Sequence, residues 1–161
     1  MKIGIGSDHN GFDLKEAINR YLSGTDHEIV DYGCYSCNVV DYPDVAFEVS
    51  KAISNEEIDR AILICGTGIG VCIAANKYPG IRAALAHDVY SAERAQLSNN
   101  AQVITLGAQI IGEEVALKVV EAYLSVNWQE GSKRKVDKIT DNENKFLAKQ
   151  NQEVAADTHC S

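Results

Sequence analysis

The chain has 161 residues, 45% of them apolar and 24% charged, with a formal net charge of −8. That length suits one domain with a sizeable core, and the composition is ordinary for a globular protein. The acidic balance without any basic stripe argues against nucleic acid as a partner, and the longest apolar run, Ala61 to Ala75, is too short and too broken by glycine to cross a bilayer.

In chain order, Lys2 to Ser7 alternates as a strand and stops at Asp8-His9-Asn10-Gly11; Phe12 to Leu22 then has helical spacing. The opening residues carry no signal-peptide pattern, and the five cysteines are odd in number and lack framework spacing, so a reducing cytoplasm is expected. Glu28 to Tyr32 reads as a second strand. A loop from Gly33 to Asp44 carries Cys34, Cys37 and Asp41-Tyr42-Pro43-Asp44, with Pro43 suited to the first turn of a helix to about Ser54. Ala61 to Ile64 is an apolar run of buried-strand type. Cys65 ends it, and Gly66-Thr67-Gly68-Ile69-Gly70 opens a helix that Pro79-Gly80 closes. A fourth strand is expected from about Arg82 to Ala86, a helix from about Val89 to Leu97, a turn at Ser98-Asn99-Asn100 and a fifth strand from Gln102 to Leu106. Glu113 to Val126 is a strong amphipathic helix, Lys133 to Ala148 a further one, and the polar stretch from Gln150 reads as a loosely ordered tail.

Strands alternating with helices, without hairpin signals, predict an α/β fold with a parallel sheet covered on both faces: one domain over 1–149, then the tail 150–161. Ligands of such sheets bind beyond the carboxyl ends of the strands, where Asp8-His9, Tyr42 and the Cys65 turn can converge. Asn99 precedes its strand and would reach that place most easily from a partner subunit.

A cysteine ending a buried strand is often only a small hydrophobe. Here it stands before a glycine turn, whose N–H groups suit an oxyanion or a phosphate, and a helix N-terminus favours the thiolate of a nearby cysteine. Such a point fits proton abstraction beside a carbonyl. The turn is no P-loop and does not match G-x-G-x-x-G. Asp8 suits sugar hydroxyls or caps the next turn; His9 suits a phosphate or proton transfer. Cys72 reads as core. Cys34 and Cys37 form C-x-x-C without a second Cys/His pair, which argues against zinc. His27 and His159 read as surface residues, and His87 as a weaker site candidate.

Ser7-Asp8-His9-x-Gly11, Val40-Asp41-Tyr42-Pro43-Asp44, Ile64-Cys65-Gly66-Thr67-Gly68-Ile69-Gly70, Ala74-Ala75-Asn76-Lys77 and Gly80-Ile81-Arg82-Ala83-Ala84 together resemble the ribose-5-phosphate isomerase B family, which includes galactose-6-phosphate isomerase subunits. The resemblance runs from about residue 2 to 140. It implies a Rossmann-like three-layer α/β/α fold with a five-stranded parallel sheet, a homodimer or homotetramer with sites near the subunit interface, and aldose–ketose isomerisation of a phosphorylated sugar without metal or cofactor. By that resemblance Cys65 is the base, with Thr67 and the N–H groups of the Gly66, Gly68 and Gly70 turn holding the enediolate oxygen. Asp8 and Tyr42 contact sugar hydroxyls, His9 helps bind phosphate, and Asn99 reaches the substrate across the interface. Three positions depart from the family pattern. Ser98 replaces a ring-opening histidine, Ala108-Gln109 replaces an arginine, and Glu130-Gly131-Ser132-Lys133-Arg134-Lys135 replaces an arginine-rich phosphate segment, leaving Lys133, Arg134 and Lys135 as its cations. The expected substrate is ribose 5-phosphate. The alternatives are a four-carbon sugar phosphate that cannot close a ring, a hexose 6-phosphate such as galactose or allose 6-phosphate, and a weakly catalytic sugar-phosphate-binding subunit.

Overall fold

A computed structural model describes residues 1–36 and 38–158, the last six of these by backbone only; Cys37 and His159 therefore lie outside the described residues. Five parallel strands, β1 (Lys2–Ser7), β2 (Glu28–Asp31), β3 (Arg60–Cys65), β4 (Ala83–Leu85) and β5 (Val103–Gly107), form one sheet in the order β2-β1-β3-β5-β4. Every residue of β3 is buried, as expected for a central strand covered on both faces.

The covering helices are α1 (Phe12–Leu22), α2 (Tyr42–Ser54), α3 (Ile69–Ala75), α4 (Val89–Asn99) and α5 (Glu113–Leu124). On one face, Leu14, Ile18 and Leu22 of α1, Ala92 and Ala95 of α4, and Val119, Val120 and Tyr123 of α5 pack on Ile3, Ile5, Ile62, Ile64, Ile104 and Leu106. On the other face, Val45, Ala46 and Val49 of α2 and Val71, Ala74 and Ala75 of α3 pack on Ala61, Leu63 and Val103. Alternate residues of β3 thus feed two cores, and the predicted three-layer α/β/α architecture is present. From β1 the chain moves outward to β2, then crosses back to β3 on β1's other side. That reversal makes the carboxyl ends of β1 and β3 the switch point where such sheets open a crevice.

Besides shifts of a few residues at several strand and helix ends, two boundaries differ from the sequence reading in ways that matter. Asn99 closes α4 instead of lying in a turn after it; the helix stops at Asn100, which takes the left-handed conformation with φ +46°. The last helix, α6 (Lys133–Thr158), runs through the stretch from Gln150 that read as a tail. No glycine or proline interrupts it, and a Lys133–Asp137 ion pair supports its first turn.

Candidate active site

Cys65 is the last residue of β3, in register with Gly107 at the end of β5, and only 4% exposed. Its Sγ accepts a hydrogen bond from Gly68 N–H at 3.1 Å. Gly68 folds the chain back over the thiol with φ +76°, and a Cβ there would stand 2.7 Å from the carbonyl carbon of Leu106. Glycine is therefore required both for conformation and for space. Thr67 is exposed at the tip, its Oγ1 accepting from Ile69 N–H at 3.3 Å.

The end of β5 carries this turn. Ala108 N–H donates to Cys65 O and Gln109 N–H to Gly66 O, both at 2.9 Å. Thr105 Oγ1 donates to Gly68 O at 2.9 Å. Among the described residues, the N–H groups of Gly66, Thr67 and Gly70 have no acceptor. Helix α3 has seven residues, so the positive character of this point comes from oriented turn N–H groups more than from a long helix dipole.

From β1, Asp8 N–H donates to Ile64 O at 3.2 Å and draws the first loop against the Cys65 strand. Asp8 is 5% exposed, and its Oδ1 accepts from Asn10 N–H and Gly11 N–H, each at 3.0 Å. The capping use of this carboxylate is thus realised. Its Oδ2 faces Asn10 Nδ2 at 3.5 Å. His9 is half-buried, with Nδ1 facing Val40 N–H at 3.5 Å and Nε2 facing Asn10 Nδ2 at 3.3 Å. Tyr42, the first residue of α2, is 40% exposed and lays its ring on Gly70, where a Cβ would come within 2.8 Å of the ring. Asp8, His9, Tyr42, Cys65, Thr67, Gly66, Gly68 and Gly70 therefore gather at the switch point.

The other expected site residues stand elsewhere in the chain. Asn99 is exposed at the C-terminus of α4, towards the amino end of β5, and its carbonyl accepts from Arg82 Nε at 3.1 Å. Burial lowers the pKa of that guanidinium. Lys133, Arg134 and Lys135 are exposed on α6, and no hydrogen bond or ion pair among the described residues joins them to the Cys65 turn. Arg134 and Lys135 instead line a groove of about 730 Å³ with Lys138, Ile139, Glu143 and Phe146. Ser98, on the last turn of α4, accepts from Arg94.

Two further residues stand beside the turn: His87, read from the sequence as a weaker site candidate, and Gln109, whose contact with the turn the sequence did not reveal. Gln109 places Oε1 3.1 Å from where a Cβ on Gly66 would be, and His87 Nε2 accepts from Gly107 N–H at 2.9 Å. Both contacts depend on which strands lie side by side, which local spacing does not reveal. Cys34 is buried and Cys72 half-buried, while His27 is half-buried with Nδ1 unpaired, not a surface residue. No group of three or more His, Cys, Asp or Glu among the described residues is placed to hold a metal, and no described helix is long and apolar enough to cross a membrane.

A family model described as Ribose/Galactose Isomerase matches residues 3–139. The D-erythrulose-4-phosphate isomerase of Pectobacterium atrosepticum is 48% identical over 142 residues, covering 86% of this chain and 93% of that one. Ribose-5-P isomerase B of Listeria innocua is 45% identical over 138 residues, covering 85% and 93%. The structure of Clostridium thermocellum ribose-5-phosphate isomerase B superposes with a TM-score of 0.88 at 43% identity, covering 91% of this chain and 99% of that one. With the family model matched along most of its length and the same fold in a solved relative, this chain belongs to the ribose/galactose isomerase family and is a sugar-phosphate isomerase of the aldose–ketose type.

Proposed function

We propose that the chain interconverts an open-chain aldose phosphate and its ketose through an enediolate, with Cys65 as the base and ribose 5-phosphate ⇌ ribulose 5-phosphate as the first reading. The observation that carries this is the Cys65 Sγ held by Gly68 N–H within a turn whose Thr67 is exposed and whose Gly66, Thr67 and Gly70 N–H groups have no acceptor among the described residues. As a thiolate, Cys65 takes the C2 proton while the electron pair of that C–H bond moves into the C1–C2 bond and the carbonyl electrons settle on O1. Thr67 and the N–H groups of Gly66 and Gly70 hold the oxygen that becomes negative; the thiol returns the proton to C1, and the O2 proton passes to O1. Asp8 and Tyr42 orient hydroxyls, and His9 meets the phosphate. No step requires a metal or cofactor.

Among the described residues no hydrogen bond or ion pair joins Asn99, Lys133, Arg134 or Lys135 to the Cys65 turn, and α6 exposes Ile139 and Phe146. Both features favour a homodimer or homotetramer in which a partner copy supplies these groups, with Lys133, Arg134 and Lys135 on the phosphate. The free thiols Cys34, Cys65 and Cys72 favour the cytoplasm.

A second reading, a four-carbon sugar phosphate that has no ring to open, is favoured by one specific observation. Ser98 has no imidazole and is engaged by Arg94, and the one His87 nitrogen free to act as a base, Nε2, already accepts Gly107 N–H. The test is turnover of ribose 5-phosphate beside erythrulose 4-phosphate by the purified protein and by Cys65→Ala. The expected result is turnover of the pentose that falls by about 10³-fold in Cys65→Ala, within the range for losing a general base. Turnover of the four-carbon sugar alone replaces the first reading by the second. Activity that survives in Cys65→Ala overturns the assignment of the base.

A further inference from the structure

The last rung of the sheet beside the site is made by a side chain. Strands β4 and β5 are joined by Val103 N–H to Arg82 O at 3.3 Å and Ala86 N–H to Thr105 O at 3.1 Å. One step on, Gly107 N–H faces β4 again, but the backbone there has already turned away towards α4. The Nε2 of His87 takes its place, accepting that N–H at 2.9 Å. An imidazole nitrogen that accepts is unprotonated, which puts the ring proton on Nδ1.

Gly107 matters because the site turn rests on it. A Cβ at 107 would lie 2.6 Å from both the carbonyl carbon and oxygen of Thr67, so the two backbones touch. Its neighbours Thr105, Ala108 and Gln109 donate to the carbonyl groups of Gly68, Cys65 and Gly66. The end of β5 thus sets the height of the turn, and the Gly68 N–H on the Cys65 Sγ follows from it. We infer that His87 is a positioning residue for isomerisation: by accepting Gly107 N–H it fixes the end of β5, and through it the glycine turn that faces the reacting oxygen. The inference rests on the proposed reading of that turn as the oxyanion cradle. Misplacing such a cradle lowers kcat more than it raises KM, because the turn is asked to meet charge that exists only in the transition state.

The experiment compares His87→Leu, which removes the acceptor, with His87→Gln, whose amide oxygen reaches about as far as Nε2. Amide hydrogen exchange over residues 65–71 is read against exchange in β1 and β3, and kcat and KM are measured on whichever sugar phosphate the protein turns over. In His87→Leu, exchange of the turn is expected to rise about tenfold while the strands stay protected. The same variant should lose about tenfold or more in kcat with KM within about threefold, and His87→Gln should stay within about threefold of the parent on every measure. Unchanged turn exchange and kcat in His87→Leu overturns the inference, as does a His87→Gln as impaired as His87→Leu. Exchange that rises equally in the strands shows a general loss of stability and also overturns it. Cys65→Ala is run alongside. If it retains turnover, the reading of the site has failed, and the exchange comparison still decides whether His87 holds the turn.

Discussion

Gly68 and Gly70 lie two residues apart in one turn, yet a methyl group would meet different obstacles at each. At Gly68 the backbone has φ +76°, and a Cβ would press on Leu106 and Gly107 main-chain atoms at 2.7 and 3.0 Å. The left-handed conformation costs an L-residue about 1–2 kcal/mol, and overpacking against a strand adds about 1–3 kcal/mol. Gly68→Ala should therefore lower the urea midpoint strongly. At Gly70 the nearest obstacle is the far side of the Tyr42 ring, at 2.8 Å, and that ring is half-exposed and can swing out. Alanine is also the better helix former by about 1 kcal/mol, so Gly70→Ala should leave stability within about 1 kcal/mol of the parent. It should still raise KM several-fold by displacing Tyr42 from the substrate. Equal stability losses in the two variants would show that Gly70 is as constrained as Gly68. Cys65, Thr67 and these glycines were legible in the sequence because strand end, thiol and glycine spacing are contiguous. His87 read only as a weaker candidate and Gln109 not as a neighbour of the turn, because their contacts arise from β5 lying between β3 and β4.

At the scale of elements, every helix and strand of the sheet was legible from apolar periodicity, and the misplaced ends have identifiable causes. Ser98 and Asn99 are weak helix formers and read as a stop, but Arg82 Nε, just before β4, donates to the carbonyls of Asn99 and Asn100 at 3.1 and 3.0 Å and satisfies that helix end from elsewhere in the chain. Helix α6 becomes polar after Leu147, which masks a helix when periodicity is the guide. Asn76 shows a long-range device of the same kind. Its Oδ1 accepts from Ala83 N–H at 2.9 Å, and its Nδ2 donates to Ala83 O at 2.8 Å and Cys72 O at 3.0 Å. One side chain thus pairs the outward backbone of β4, an edge strand, and ties α3 to it. Losing these bonds where water can partly replace them should cost about 1–2 kcal/mol, read as a lower urea midpoint for Asn76→Ala with an unchanged m-value. A midpoint equal to the parent's would mean that water serves β4 as well as Asn76 does.

Across the whole molecule, three groups at least partly enclosed by the fold, Lys15, Tyr32 and Tyr123, hold their protons more tightly when the chain is folded. Burial works to lower the pKa of Lys15, but hydrogen bonds and charge from Asp31 and Glu16 outweigh it and leave the pKa above the ordinary 10.5. Burial raises Tyr32 above 10.0, helped by the charges of Glu57 and Glu48. Burial also raises Tyr123, fully enclosed beneath the sheet with its hydroxyl donating to Ala101 O at 2.8 Å. For Lys15 the stabilising ion pairs are complete below 10.5 and vanish as pH rises through the folded value. For the two tyrosines the unfolded phenols ionise first, near 10.0, while the folded ones remain neutral, so unfolding is increasingly favoured above that pH. All three shifts have the same sign. Stability should be flat up to about pH 9 and then fall, each group adding about 1.4 kcal/mol per pH unit while its unfolded form alone is deprotonated. Urea midpoints measured at intervals from pH 8 to 11 give the curve, and Tyr123→Phe isolates one contribution. That variant should be less stable than the parent at pH 8 by about 1 kcal/mol, the worth of one hydrogen bond, and should lose less on going to pH 11. The two curves would then converge with rising pH. Parallel curves would mean that Tyr123 ionises as readily in the fold as outside it, which its enclosure between α5 and the sheet forbids.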